Sequence, residues 1–320
     1  MSENLPVVPV AAADLDRLLD TLMVGFVRLS ECLVGEGYRL ELGGIPAPGL
    51  HYNLSGTGRL IVGDNEPIDL QPHTLVILPA HSLFRIEVPS RRGPHAAFRT
   101  INGRAQVFPP GAVRRYVATD AEPVIMLICG YFHASYGSST DLFGTLTAPL
   151  VEQFDEGDQV DETLKSALME LVDQEVGAGA MSAALLKQVI VALLRRSLRS
   201  MDLWMQRFAL LSDPQVARAF AEMVAHPGAP HSVTSLARTA FLSRSAFEAR
   251  FNRVVGRSPM IILRDLRMRQ AADHLRATTM TVDEIARQAG YASRSSFVRA
   301  FRKAHGCDPT SYRRSHGENL

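Results

Sequence analysis

The sequence predicts an α+β chain of two domains, a β sandwich or barrel with attendant helices followed by an all-helical lobe made of two helix-turn-helix units. Three observations predict it. From about Gly37 to Gly130, short β-rich runs alternate with Gly, Pro and Asn punctuation. After Ser138 the apolar period becomes helical. Beyond Asp213 one helical phrase occurs twice. At 320 residues the chain is long enough for two cores, and the boundary is expected near 205–212, giving domains 1–205 and 206–320.

The first element is a helix in "DLDRLLDTLMV", followed within 14–35 by an edge strand. Then come "YRLEL", "LHYNLSG", "RLIVG", "TLVILPA", "FRIEV" and "VIMLICGYF", whose close spacing suggests a sandwich or barrel. Helical patterns follow at 160–176 and 180–200. In the second, Leu185, Leu186, Val189, Ile190, Leu193, Leu194 and Leu198 form a broad apolar stripe. That stripe either packs on the β domain or forms a homodimer seam. "LSDPQVARAF" then supplies a helix start, Asp213 as N-cap and Pro214 at the first helical position. Everything beyond reads as helix, broken at "HPGAPHS", "GRSP" and "GCDP".

Composition narrows the class. The chain is 46% hydrophobic and 21% charged, with no apolar run near the ~18 residues of a membrane helix. Its N-terminus lacks an export pattern. Cys32, Cys129 and Cys307 are too scattered for a disulfide framework or a C-x-x-C metal site, so a cytoplasmic location is expected and no membrane partner. The net charge of +1 hides an asymmetry: residues 213–320 hold 17 Arg or Lys against 9 Asp or Glu, and residues 1–212 hold 17 against 24. A basic C-terminal third on an acidic remainder suggests a nucleic-acid module joined to something else.

The repeated phrase gives that module its shape. "LARTAFLSRSAFEARF" (236–251) recurs as "IARQAGYASRSSFVRAF" (285–301). Each copy has an aliphatic–Ala–Arg start, a turn, Ser-Arg-Ser and two phenylalanines four apart, which is a helix-turn-helix pattern. Ser243 and Ser293 are placed to cap the second helices. Phe247/Phe251 and Phe297/Phe301 anchor those helices to the core, since i and i+4 share a face. Outward lie Arg244, Ser245 and Glu248 in one copy and Arg294, Ser295, Ser296 and Arg299 in the other, residue types able to read base edges. Arg250, Arg253, Arg302 and Lys303 are expected on phosphates or in solvent. One helix, "PMIILRDLRMRQAADHLR", joins the units over roughly 27 Å, suited to placing two recognition helices in major grooves about 34 Å apart on double-stranded DNA.

Residues 213–314 resemble the double helix-turn-helix domain of AraC/XylS-type bacterial transcription regulators. The closing signature of that family is similar to "AGYASRSSFVRAFRKAHGCDPTSYRR" (289–314), and Ile285-Ala286, Gly290-Tyr291, Phe297, Phe301, Gly306, Pro309 and Tyr312-Arg313-Arg314 fall where the family has them. One position departs: the first turn carries Phe241 where the family usually has Gly, which implies a strained or differently built turn. The resemblance implies an N-terminal cupin-like barrel that binds a small-molecule effector and dimerises, and a regulator, usually an activator, that acts on RNA polymerase.

Residues 37–133 resemble that barrel. Metal-binding cupins carry two His one residue apart plus a Glu, then a further His. Here only His51 appears in "HYN", His73 stands at a usual Gly position and Phe84 near the second His, so neither a metal nor any other cofactor is expected. Alternation puts His51, Asn53 and Ser55 on one strand face and Tyr52 and Leu54 on the other. His51, Asn53, Cys129, Tyr131 and His133 are the candidate effector-pocket residues, each with an alternative as an ordinary structural side chain. Some regulators with such a domain sense oxidants through a cysteine pair, which would be Cys32 and Cys129 here; a buried, inert thiol is the alternative. Competing classes are a metal-dependent cupin enzyme with a DNA-binding tail and an architectural DNA binder without a sensor.

Overall fold

The computed structural model describes residues 10–90, 97–108, 114–136, 140–144, 146–158, 161–166, 169, 177–200, 210 and 212–316. The chain divides into two units. One comprises Val24–Ala134 and Phe143–Arg207, the other Phe208–Leu320 together with Met1–Met23 and Ser135–Leu142. This departs from a contiguous division at 205/206, because the first helix and a short stretch after Ala134 join the C-terminal unit. The boundary at 201–209 lies outside the described residues.

The first unit is β-rich. The described strands are β1 (Met23–Val34), β2 (Tyr38–Gly43), β3 (Gly49–Ser55), β4 (Gly58–Val62), β5 (Ile68–Leu70), β6 (Thr74–Leu78), β7 (Leu83–Glu87), β8 (Arg99–Asn102), β9 (Arg114–Ala118), β10 (Ile125–Tyr136), β11 (Thr140–Asp141) and β12 (Leu150–Gln153), all in this unit except β11, the first residue of β1 and the last two of β10. They form a larger sheet, β12-β6-β3-β10-β1-β9 with β11 beside β10, and a smaller one, β5-β4-β7-β2-β8. Both sheets feed one core. Leu40, Leu42, Leu60 and Ile86 from one meet Val34, Val76, Ala118 and Leu127 from the other, as expected of two twisted sheets packed face to face.

The expected edge strand is not at the edge. β1 lies between β10 and β9, pairing with β9 in parallel, Ser30 opposite Arg114 and Cys32 opposite Tyr116. That pairing joins residues more than eighty positions apart, which local pattern cannot show. Strand β3 is also buried on both faces, Tyr52 as fully as His51 and Asn53. Behind it, Tyr52 Oη meets His73 Nδ1 at 3.3 Å, and His73 Nδ1 meets the buried Asp161 at 3.0 Å. Asp161 opens a short helix, α2, at 161–166 and also accepts from Lys165 Nζ at 2.6 Å. His73 thus takes a left-handed backbone (φ 66) at the usual Gly position and serves as a clip for α2. The remainder of the expected 160–176 helix, except residue 169, lies outside the described residues.

Helix α3 (Ala178–Ser200) carries the apolar stripe. Leu186, Val189, Ile190, Leu193 and Leu194 are all buried within the chain, so these positions are covered already and do not present the open seam expected of a dimer surface; the Leu198 side chain lies outside the described ones.

The second unit is helical: α1 (Ala12–Thr21), α4 (Pro214–Ala225), α5 (Val233–Thr239), α6 (Arg244–Val255), α7 (Pro259–Ala277), α8 (Val282–Gln288), α9 (Arg294–His305) and α10 (Pro309–His316). Breaks between them fall at "HPGAPHS", "GRSP" and "GCDP", where Gly256 and Gly306 cap α6 and α9 in left-handed conformation. Helix α1 is amphipathic, with Leu15, Leu18 and Leu19 buried. Its Asp14 bonds Arg218 of α4 at 3.1 Å, and its Arg17 pairs with Glu222 at 3.5 Å. No described helix is long and apolar enough to cross a membrane.

Candidate nucleic-acid interface and barrel cavity

The two helix-turn-helix units repeat each other bond for bond. In the first, Ser232 begins α5 with a capping box shared with Ser235, and in the second Thr281 begins α8 with one shared with Glu284. The first turn closes with Phe241 N donating to Arg238 O at 3.0 Å and Leu242 N to Ala237 O at 2.9 Å. The second closes with Gly290 N to Arg287 O at 3.0 Å and Tyr291 N to Ala286 O at 2.9 Å. Both are Schellman turns, whose residue after the helix cap must be left-handed. Phe241 has φ 55 and Gly290 φ 75, so Phe241 accepts the strain that Gly avoids while the turn itself is built alike.

The surroundings explain why Phe is tolerated only in the first copy. Phe241 is 73% exposed and lies under the Arg218 guanidinium at 5.0 Å. A Cβ on Gly290 would stand 2.6 Å from Gly228 O and 2.9 Å from Arg267 Nη2. Arg267 is fixed there by donating from Nε to Pro227 O and from Nη2 to Ala229 O, both at 2.8 Å. The second turn is therefore walled in, the first open.

Recognition helices α6 and α9 follow. Ser243 Oγ accepts from Ala246 N and Ser293 Oγ from Ser296 N, each at 3.3 Å. Phe247, Phe251, Phe297 and Phe301 are completely buried, each contributing about 1.5–3 kcal/mol. Phe251 stacks on Phe220 of α4 at 6.1 Å, while Phe301 meets Tyr312 of α10 edge-on at 5.4 Å. With the aromatic face buried, Arg244, Ser245, Arg294, Ser295, Arg299, Arg302 and Lys303 remain exposed and Glu248 half-exposed. Arg244 approaches Glu248 at 3.9 Å, and Arg294 reaches Asp283 at 3.0 Å. Exposed pairs of this kind are worth little and yield readily to another partner. Connecting helix α7 runs 19 residues, about 28 Å.

Two expected contacts are otherwise engaged. The Arg250 guanidinium grips the buried carboxylate of Asp213 through Nε at 2.9 Å and Nη2 at 2.6 Å, and reaches Gln215 Oε1 at 2.6 Å. Since Asp213 also caps α4 by accepting from Val216 N, Arg250 ties a recognition helix to α4 and is not a free phosphate contact. Ser296 donates its hydroxyl to Ser293 O at 2.8 Å, a capping bond that leaves it only its lone pairs to offer a base. The Arg250 partnership is not visible locally, since Asp213 and Arg250 are 37 residues apart.

In the barrel, the larger sheet lays a row of side chains across its inner face. His51 of β3 is in register with Cys129 of β10, and Cys32 of β1 with Tyr116 of β9. Cys32 Sγ and Cys129 Sγ are 3.4 Å apart, both buried and both thiols. Burial, then the hydrogen bond with Cys32, pushes the Cys129 thiol pKa well up. His51 is 1% exposed, neither ring nitrogen has a hydrogen-bond partner among the described residues, and burial lowers its pKa to about 3. Its ring meets Phe84 at 4.4 Å and Tyr131 at 6.2 Å.

Beside that row is a cavity of ≈ 90 Å³ walled by β1, β2, β9, β10 and the turn after β8. Of the expected pocket residues it touches Cys129 and Tyr131. His51 stands behind Tyr131. Asn53 braces the β3–β4 turn by donating to Gly56 O at 2.9 Å, and His133 is exposed; neither lines the cavity. Ser30, Arg104, Gln106, Arg114 and Tyr116 do, and sequence pattern misses them because they come from three separate segments. Among the described residues no group of three or more His, Cys, Asp or Glu is placed to hold a metal ion.

Comparison with known proteins is consistent with both units. A helix-turn-helix domain family matches residues 236–315 and a cupin family matches residues 15–199. The chain is 28% identical over 214 residues to the RCS-specific HTH-type transcriptional activator RclR of Escherichia coli (strain K12), covering 66% of this chain and 75% of that one. It is 29% identical to a putative AraC-like transcription regulator of Streptomyces antibioticus over 79% of this chain and 82% of that one. Among solved structures, the DNA-binding domain of AdpA in complex with a target DNA shares 32% identity, with a TM-score of 0.31, over 32% of this chain and 92% of that one.

Proposed function

Because the chain belongs to the AraC-type transcription regulators that carry an N-terminal cupin domain, we propose that its barrel is a sensor of a small molecule and not an enzyme. Binding in the barrel alters how the DNA-binding unit, in a cytoplasmic homodimer, engages a promoter and RNA polymerase, most simply as an activator. A ligand acts in this way only through unequal affinity for two states. One observation carries the DNA-binding role: two matching turns present Arg244 and Ser245, and Arg294, Ser295 and Arg299, on helices whose opposite faces are fully buried. Arg299→Ala tests it. Affinity for a selected DNA site falls by roughly 1–3 kcal/mol and preference relaxes at one base position, while the melting temperature holds. Unchanged affinity and selectivity would remove Arg299 from the interface.

The 3.4 Å contact between Cys32 and Cys129 favours a second sensing mode, and the activator RclR is described as RCS-specific. A peroxide would take two electrons from the thiols, forming a disulfide as both protons leave in water. The raised Cys129 pKa slows that attack. Peroxide altering DNA binding in the wild type but not in Cys129→Ser supports this mode, and equal responses eliminate it.

A further inference from the structure

We propose that the barrel cavity is an anion site, taking a small carboxylate on a short apolar body, with Arg114 as its counter-charge. This rests on the effector role above and gives that effector a chemical class.

None of the residues lining the cavity is Asp or Glu, and two are arginines. The two differ. Arg104 is already paired, its Nη2 donating to Glu41 Oε2 at 2.7 Å. Arg114 meets no carboxylate among the described residues; its guanidinium lies over the Phe108 ring at 5.4 Å. Phe108 in turn meets Tyr116 edge-on at 5.0 Å, so the cation is held by an aromatic bracket and left without an opposite charge. A half-buried guanidinium in such a place favours an anion, and its planar fork matches a carboxylate. Gln106 adds a polar group to the same wall, while Ser30, in register with Arg114 on the neighbouring strand, spends its hydroxyl proton on Cys129 O at 3.1 Å. Of the other lining residues, Leu42, Ile45, Tyr116 and Tyr131 are suited to a short hydrocarbon. His51 stays neutral behind Tyr131 and adds no competing charge.

The test uses the full chain and straight-chain carboxylates from acetate to hexanoate, each against its primary amide at constant ionic strength. Calorimetry and thermal melting are expected to show saturable binding of one or more carboxylates and none of the amides. Arg114→Gln should weaken carboxylate binding by about tenfold or more. Arg114→Lys, which keeps the charge but loses the planar fork, should bind between wild type and Arg114→Gln and so separates lost pairing from lost fold. Arg115→Gln, on the exposed side of the same strand and paired with Glu31, should bind as wild type. Equal binding of acid and amide, no binding at any chain length, or full binding by Arg114→Gln would each overturn the site. Affinity for DNA selected from a random pool is then measured with and without carboxylate. Binding without any change in DNA affinity removes the effector role and leaves the site. A DNA response to some other small molecule, with no carboxylate bound at any chain length, overturns the site and leaves the effector role.

Discussion

Replacing Phe241 by Ala and by Gly separates two features that coincide at the first turn. Alanine keeps the left-handed strain of φ 55 and deletes the ring, so it reports the contact with Arg218, about 0.5–1 kcal/mol for an exposed cation over a ring. Glycine also deletes the ring but removes the strain, which costs an L-residue about 1–2 kcal/mol. Against that stands the greater freedom of Gly in the unfolded chain, about 0.5–1 kcal/mol. Phe241→Gly is therefore expected to be more stable than Phe241→Ala by about 0.5–1 kcal/mol, and close to wild type. Gly290→Ala is the mirror experiment: it adds the same strain plus a Cβ 2.6 Å from Gly228 O, and about 2–4 kcal/mol is expected from strain and overpacking together. Urea unfolding followed by circular dichroism, with m unchanged, measures all three. Equal stability of the Ala and Gly variants at 241, or a Gly290→Ala cost no larger than that of Phe241→Ala, would refute the assignment of strain.

Arg250→Ala should lower stability by about 2 kcal/mol by leaving the buried Asp213 carboxylate uncompensated, and Arg250→Lys should restore little because it cannot make the two-pronged grip; a chemical melt checks both. His51 gives a pH signature. Its unfolded pKa is 6.5 and its folded one about 3, so the unfolded chain binds the extra proton between those values. Its contribution is intact above pH 6.5 and lost as pH falls towards 3, about 1.4 kcal/mol per unit and about 2 kcal/mol by pH 5. Acid melts of His51→Leu should show a correspondingly flatter slope over that window, and an unaltered slope would refute the assignment.

The helical unit was readable because its determinants are local. Caps at Ser243, Ser293 and Asp213, phenylalanines four apart and the left-handed positions 241 and 290 all act within a few residues of each other. Where the chain meets itself at a distance, the pattern is silent. Interior placement of β1 depends on a parallel partner more than eighty residues on, and Arg250 looked free because Asp213 lies outside its own repeat. The thiol pair was a pair only in the sense that both residues existed; the row from His51 to Tyr116 needs four strands in register. Alternation also misled at β3, where it separates two faces but cannot say that both are covered.

The company kept by α1 bears on how the DNA-binding half is prepared in isolation. A fragment trimmed to begin near 206 discards Leu15, Leu18 and Leu19 along with the Asp14 and Arg17 bonds to α4, stripping a roof from the helix on which Phe251 rests. Such a truncated chain inherits a sticky flank of its own making, and its self-association would be an artefact of the scissors, not a property of the regulator.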